Sequence, residues 1–268
     1  TERCGHVFMV AEDRMSLAYA RNGLLGVLTP QANTTVEPAF LLLLPPATAM
    51  LTARLVSTRP SLNDRLRDYV AGLDATCAQF ANAPLGAIAF ACTGSSYLVG
   101  PEAEDAAVAR LSVRVPFITA GRAVCDAFDA LGAKRIGLVS PYPPDLTEAS
   151  AAYWKARGFE VARVVAIATP GAAFHPIYAL AEGDASAALA AMRDAGAEAI
   201  ILLGTGMPSL GAILAQPEVE GAPVISCNLA LMWRAMAALR GEAADEASLK
   251  RWISGADWRG RYAERLGI

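Results

Sequence analysis

The sequence predicts an α/β protein of two pseudosymmetric, doubly wound lobes, each a parallel sheet flanked by helices, with a ligand site in the cleft between them. The first observation is internal repetition. Gly26-Val-Leu-Thr-Pro30 returns as Gly137-Leu-Val-Ser-Pro141, 111 residues on, and Glu37 meets Glu148 at the same offset. Ala87-Ile-Ala-Phe-Ala-Cys-Thr-Gly-Ser-Ser-Tyr-Leu98 returns as Ala199-Ile-Ile-Leu-Leu-Gly-Thr-Gly-Met-Pro-Ser-Leu210 after 112 residues, and Val115-Pro-Phe-Ile-Thr119 as Ala222-Pro-Val-Ile-Ser226 after 107. The second observation is that every block is a short apolar run bounded by Gly or Pro, the pattern of a strand buried on both faces. The third is that small and hydroxyl residues follow each run and then a helical pattern begins, as right-handed βαβ crossovers require.

Taken in order, strands are predicted at the repeated blocks. Helices are predicted at Asp64–Asn82, Glu102–Arg110, Gly121–Leu131, Glu148–Arg157, Ala185–Ala195 and Leu229–Arg240. Gly132 and Gly158 stand just past two of these, where helices stop. The third block comes late in each half, so the chain is expected to leave the first lobe near residue 120 and to return near 227. This gives a first lobe of residues 1–120 plus 228–268 and a second of 121–227, with Leu229–Ile268 packed on the first. Ligands of such sheets bind at the carboxyl ends of strands, which brings the Cys92 turn and the Gly204 turn to one cleft.

Composition narrows the function. The chain has 268 residues, enough for two medium domains, with 54% hydrophobic and 18% charged residues. Net charge is −3 and there is no Lys/Arg-rich block, so no nucleic-acid partner is expected. The longest aliphatic run, Leu41–Leu44, stops at Pro45-Pro46, far short of a membrane span. The N-terminus shows no apolar signal region, and a cytoplasmic location is expected. The cysteines at 4, 77, 92, 125 and 227 contain no C-x-x-C, and the only two histidines are His6 and His175. Neither a disulfide framework nor a metal centre is implied, and no cofactor is expected.

Cys92 ends a strand in Ala91-Cys-Thr-Gly-Ser-Ser96, where backbone N–H groups and a helix N-terminus favour negative charge. A cysteine at a strand end is often only core packing; its repeat-related place at the cleft, ahead of Thr-Gly, points to function. Cys77 and Cys125 fall inside helical patterns, Cys4 sits near the N-terminus, and Cys227 follows a buried strand. The first three read as structural, and for Cys227 core packing is favoured over a role in the site. Thr93-Gly94 and Thr205-Gly206 are repeat-related pairs whose backbone N–H groups suit a carboxylate or oxyanion. A single Thr-Gly is usually a tight turn, but two at equivalent strand ends favour carboxylate binding. No G-K-[ST] follows, and Gly204-x-Gly206 lacks the third glycine of the dinucleotide fingerprint. Asn33-Thr34-Thr35 and Tyr142 occupy equivalent strand-end loops aimed at the same cleft, although such residues also cap helices. His175 in its loop reads as a bystander.

These residues resemble a known family. Leu25-Gly-Val-Leu-Thr-Pro-Gln-Ala-Asn-Thr-Thr-Val-Glu37 resembles the opening strand and substrate loop of maleate cis-trans isomerases, and Ala91-Cys-Thr-Gly-Ser-Ser96 their first cysteine turn. Arg135-Ile-Gly-Leu-Val-Ser-Pro-Tyr142 resembles their strand ending in tyrosine, and Val224-Ile-Ser-Cys-Asn228 with Trp233 their last strand and helix. Ile201–Ile213 is similar to the second catalytic turn of arylmalonate decarboxylases. The likeness runs from about Tyr19 to Leu239 and identifies the chain as a member of the aspartate/glutamate racemase superfamily, within the maleate isomerase and arylmalonate decarboxylase family.

The resemblance implies a cofactor-independent enzyme acting on a small carboxylic acid, and a homodimer, since dimers are usual among such proteins. It makes Cys92 the catalytic thiol. Thr93, Gly94, Tyr142, Gly204, Thr205 and Gly206 would form the site for a substrate carboxylate or its enediolate, and Asn33 would hold another carboxylate oxygen. One position departs from the pattern. Racemases and maleate isomerases of this family place a second cysteine where this chain has Gly204; arylmalonate decarboxylases keep one thiol, but in the second lobe. A two-base racemase lacks its partner here, whereas decarboxylation needs a single proton donor. The expectation is therefore a decarboxylase-like lyase working through an enediolate. The alternative is maleate-type isomerisation by nucleophilic addition of Cys92. A cytosolic small-carboxylate binding protein is the reading from outside enzymology.

Overall fold

The computed structural model describes residues 17–168 and 176–268. Cys4, His6 and His175 lie outside the described residues. The first half builds β1 (Leu24–Pro30), α1 (Val36–Leu43), β2 (Ala49–Leu55), α2 (Leu62–Ala71), α3 (Leu73–Cys77), β3 (Ala87–Phe90), α4 (Thr93–Leu111), β4 (Phe117–Thr119) and α5 (Ala120–Ala130). The second builds β5 (Arg135–Ser140), α6 (Pro144–Ala156), β6 (Glu160–Ala166), α7 (Glu182–Ala190), β7 (Ala199–Leu202), α8 (Leu210–Ala215), β8 (Glu218–Val219) and β9 (Ala222–Ser226). Three helices close the chain: α9 (Cys227–Arg240), α10 (Glu246–Ile253) and α11 (Arg259–Leu266).

The strands form two sheets, ordered β2-β1-β3-β4 and β6-β5-β7-β9-β8, parallel except for the short β8–β9 edge pair. This is the predicted α/β fold, and the internal repeat is visible in its register. Gly26 pairs with Ile88 as Gly137 pairs with Ile200, and Ala89 pairs with Ile118 as Ile201 pairs with Ile225. The equivalence extends past the strands: the Ala91 N–H donates to Leu28 O at 2.8 Å, and the Leu203 N–H donates to Val139 O at 2.9 Å. Both bonds hold the peptide just before the Cys92 and Gly204 turns, so both turns are fixed by the same local device.

Strands β1, β3, β4 and β7 are buried at every residue. Helices cover them with matching faces. In α9 ten of fourteen residues are buried, among them Trp233 and Met236, and this helix packs on β3, α1 and α5. Ser226 caps it by accepting from the Leu229 N–H at 3.3 Å, and Thr119 caps α5 in the same way from the Arg122 N–H at 3.2 Å. Gly132 and Gly158 both take the left-handed conformation just past their helices, as read from the sequence.

The helix boundaries differ in several places, and three of the differences bear on the cavity. The stretch predicted as one helix over 64–82 is α2 and α3 separated at Gly72, a poor helix former, with a 3-10 turn after them. The helix predicted from Glu102 is the second part of α4, which is broken at Gly100-Pro101, where Gly100 has φ +82°; the first part, starting at Thr93 directly after the cysteine, is an additional helix. The third difference is α1, hidden in the Leu41–Leu44 run and started with Pro38 in its first turn. No helix of the described residues is long and apolar enough to cross a membrane.

Candidate active site

Loops from the two sheets meet at the carboxyl ends of their strands and are tied together there. The Thr205 hydroxyl donates to the Ala91 carbonyl at 2.9 Å, and the Thr35 hydroxyl to the Gly206 carbonyl at 2.8 Å. Thr93 and Tyr142 share a hydroxyl–hydroxyl bond at 3.1 Å, and the Asn33 side-chain amide reaches Thr205 Oγ1 at 3.5 Å. Between them lies a cavity of about 560 Å³. It is lined by Asn33, Cys92, Thr93, Gly94, Tyr142, Thr205 and Gly206, seven of the eight residues the sequence nominates.

Gly204 is the eighth and stands behind the wall. Its φ is +86°, and a Cβ there would sit 2.7 Å from Ile177 Cδ1, 3.1 Å from the Tyr142 hydroxyl and 3.3 Å from Pro141 Cγ. The two repeat-related turns thus diverge at this residue. Cys92 is extended, with φ −150°, and α4 starts at once behind it, whereas Gly204 is left-handed and α8 begins only at Leu210. Ile177 and Tyr178, in a 3-10 turn at Pro176–Ala179, fill the space beside Gly204 and Gly206.

Cys92 is 4% exposed at the N-cap of α4. Its sulfur lies 3.1 Å from Ser95 Oγ. Burial pushes the thiol above its ordinary value, and the Ser95 hydroxyl with the Ser95 and Gly94 N–H groups pulls the other way without overcoming it. Burial therefore favours the protonated form of the thiol. The Tyr142 hydroxyl is held far above its ordinary range by burial and is a neutral donor too. Of the other thiols, Cys227 is fully buried at the first residue of α9 and is pushed up to about 11 by burial, against a hydrogen bond from Thr93 and the Gly204 N–H. It does not line the cavity, and neither do Cys77 and Cys125. Among the described residues no group of three or more His, Cys, Asp or Glu stands together as metal ligands would.

The donor inventory is narrower than the sequence suggests. Thr205 already gives its proton to Ala91 O, so its hydroxyl ties the two turns and its N–H is what it can offer a ligand. Asn33 Oδ1 is also occupied, accepting from the Thr35 and Val36 N–H groups at 2.8 and 3.0 Å to start α1. The Asn33 loop is itself clamped by Arg54, which donates to the Pro30 and Asn33 carbonyls at 3.2 and 3.0 Å and pairs with Glu37. Sequence reasoning missed Arg54, and it missed the cavity residues Arg65 and Tyr69 on α2 and Tyr178. The only signal was the helical spacing of Leu62, Arg65, Leu66 and Tyr69, which puts them on one face without saying what that face meets.

Comparison with known proteins agrees with the geometry. Over 238 residues the chain is 25% identical to a maleate isomerase of Geobacillus stearothermophilus, covering 82% of this chain and 93% of that one. A maleate isomerase of Pseudomonas putida is 26% identical over 232 residues, covering 80% and 91%. The crystal structure of a maleate isomerase from Pseudomonas putida S16 with maleate superposes with a TM-score of 0.74 at 25% identity, covering 87% of this chain and 98% of that one. An arylmalonate decarboxylase crystal structure shares the fold at a TM-score of 0.65 and 20% identity, covering 82% and 94%. The family model of arylmalonate decarboxylase matches residues 25–250. The chain belongs to the arylmalonate decarboxylase family.

Proposed function

We propose that the chain is a single-thiol lyase that decarboxylates a malonate-type acid, with Cys92 as the proton donor. The observation that carries this reading is the asymmetry of the cavity: one thiol on one side, and on the other a glycine shut behind Ile177 and Tyr142. Chemistry that needs an acid on one face and a base on the other has no second thiol to call on. Chemistry that needs one proton delivered to one face has what it requires.

In this mechanism one substrate carboxylate is held by the Tyr142 hydroxyl, which accepts the Thr93 proton and donates its own, and by N–H groups of the Thr205-Gly206 turn. The other carboxylate faces the apolar wall of Leu66 and Leu146, where its charge is poorly solvated. The carbon–carbon bond to that carboxylate breaks, carbon dioxide leaves, and its electron pair moves into an enediolate stabilised by the same donors. Cys92 S–H then protonates the former malonate carbon, and solvent returns a proton to the thiolate. The balance is one malonate dianion and one proton in, one monocarboxylate and carbon dioxide out. Tyr142, itself neutral, serves as a donor throughout.

Maleate-type isomerisation is the competing chemistry, supported by the names of the relatives and by the Asn33-Thr34-Thr35 loop. It starts with a thiolate adding to an alkene, and a buried thiol whose ionisation is pushed up is poorly set for that step. The test is product analysis by proton NMR on phenylmalonate and maleate, with wild type and Cys92→Ala. The proposal expects phenylacetate from wild type and at least about a 10³-fold lower rate from Cys92→Ala. Fumarate from maleate with no decarboxylation would replace it with isomerisation. Cys77→Ala and Cys125→Ala serve as controls and retain wild-type turnover.

A further inference from the structure

We propose that the substrate carries, besides its malonate pair, a further anionic group, a carboxylate remote from its reacting carbon, and that Arg65 is the residue that recognises it. This rests on the reading above, in which the Cys92 end of the cavity holds the reacting carboxylate.

Among the described residues Arg65 is the only cation lining the cavity, and no acidic residue lines it. It belongs to the α2 face that also presents Leu62, Leu66 and Tyr69. Its Nη1 donates to the Arg59 and Pro60 carbonyls at 3.3 and 3.2 Å. Those two residues are exposed, so the guanidinium is moored at the mouth while the thiol lies buried at the floor. Among the described residues no carboxylate pairs with Arg65. The acidic residues nearest in sequence are already taken, Asp64 by Arg67 and Asp68 by Arg59. A guanidinium has five N–H donors, and two carbonyl contacts on one nitrogen leave most of them for a ligand.

The space between is built for an apolar body. Leu62, Leu66, Tyr69, Leu146 and Tyr178 line it, and Tyr69 and Tyr178 are within electrostatic range of both Cys92 and Arg65. A cavity of about 560 Å³ is in the range of aromatic, drug-sized ligands and generous for a four-carbon diacid. The ligand that fits has a carboxylate head at the thiol, an aryl or extended alkyl body, and a carboxylate tail that the planar guanidinium takes in a two-point contact.

The test is binding of two unreactive compounds, phenylacetate and 4-carboxyphenylacetate, measured by titration calorimetry on wild type, Arg65→Gln, Arg65→Lys and Cys92→Ala, with the fold of each checked by thermal denaturation. The diacid is expected to bind wild type at least about tenfold more tightly, as a charge-assisted contact gives. Arg65→Gln should abolish that preference, Arg65→Lys should keep part of it, and Cys92→Ala should keep all of it. Equal affinity for both compounds in wild type, or a preference that survives Arg65→Gln, overturns the assignment of Arg65 and leaves the decarboxylase reading standing. Binding of neither compound overturns both, because the thiol end then holds no carboxylate.

Discussion

Replacing Gly204 by cysteine is the natural way to add a second thiol opposite the first, and the local geometry sets how costly it is. Two separate penalties apply. A φ of +86° costs a residue with a side chain about 1–2 kcal/mol. The new Cβ would stand 2.7 Å from Ile177 Cδ1 and 3.1 Å from the Tyr142 hydroxyl, and overpacking of that kind costs about 1–3 kcal/mol. Together they come to about 2–5 kcal/mol, or a melting temperature lower by roughly 4–10 °C for a chain of this size. Turnover should fall as well, because Tyr142 is pushed from its bond with Thr93. The assay is thermal denaturation of wild type, Gly204→Cys, Ile177→Ala and the double variant. Removing Ile177 clears the nearest clash but not the backbone strain, so the two substitutions should couple favourably by about 1–3 kcal/mol. Strict additivity, or a Gly204→Cys protein as stable as wild type with its Tyr142 contact intact, would refute the closed second face.

Two further outcomes follow from the site. Tyr142→Phe removes the hydroxyl that Thr93 meets at 3.1 Å; kcat should fall about 10²-fold with little change in melting temperature, since the ring packing on Tyr97 is kept. The pH dependence of kcat/KM should separate the two chemistries. Cys92 is raised above its ordinary value of 9.0, so a reaction using the protonated thiol keeps its full rate through neutral pH and loses it only as pH rises through that raised value. A thiolate reaction runs the other way, with a rate that climbs toward alkaline pH.

Much of this architecture is legible in the amino-acid sequence, and the reasons are local. A buried parallel strand is a contiguous apolar run closed by Gly or Pro, so β1, β3, β4, β5, β7 and β9 stand out in the sequence, and their repetition gives the paired sheets. The chemistry at strand ends travels with those strands, which is why Asn33, Cys92, Thr93, Gly94, Tyr142, Thr205 and Gly206 all line one cavity. The features that sequence does not reveal depend on neighbours distant in the chain. Gly204 occupies the equivalent position, but its exclusion from the cavity is set by Ile177 and Tyr142. Thr205 has the right hydroxyl, yet its proton is spent on Ala91, 114 residues away. Arg65 lies within a predicted helix as one more surface charge, because the direction of an amphipathic face is decided by what packs against it.

The central claim is that one thiol protonates one face of a planar intermediate. Its most direct test is decarboxylation of a prochiral malonate, one with two different α-substituents, in heavy water, with the configuration of the α-deuterated product read by chiral chromatography and mass spectrometry. With Cys92 as sole donor and Gly204 walled off, one enantiomer should dominate by roughly 100:1, a difference between faces of about 2.7 kcal/mol at 1.36 kcal/mol per tenfold. Racemic product, formed without exchange after release, would show a second proton donor in the cavity and contradict the single-thiol account.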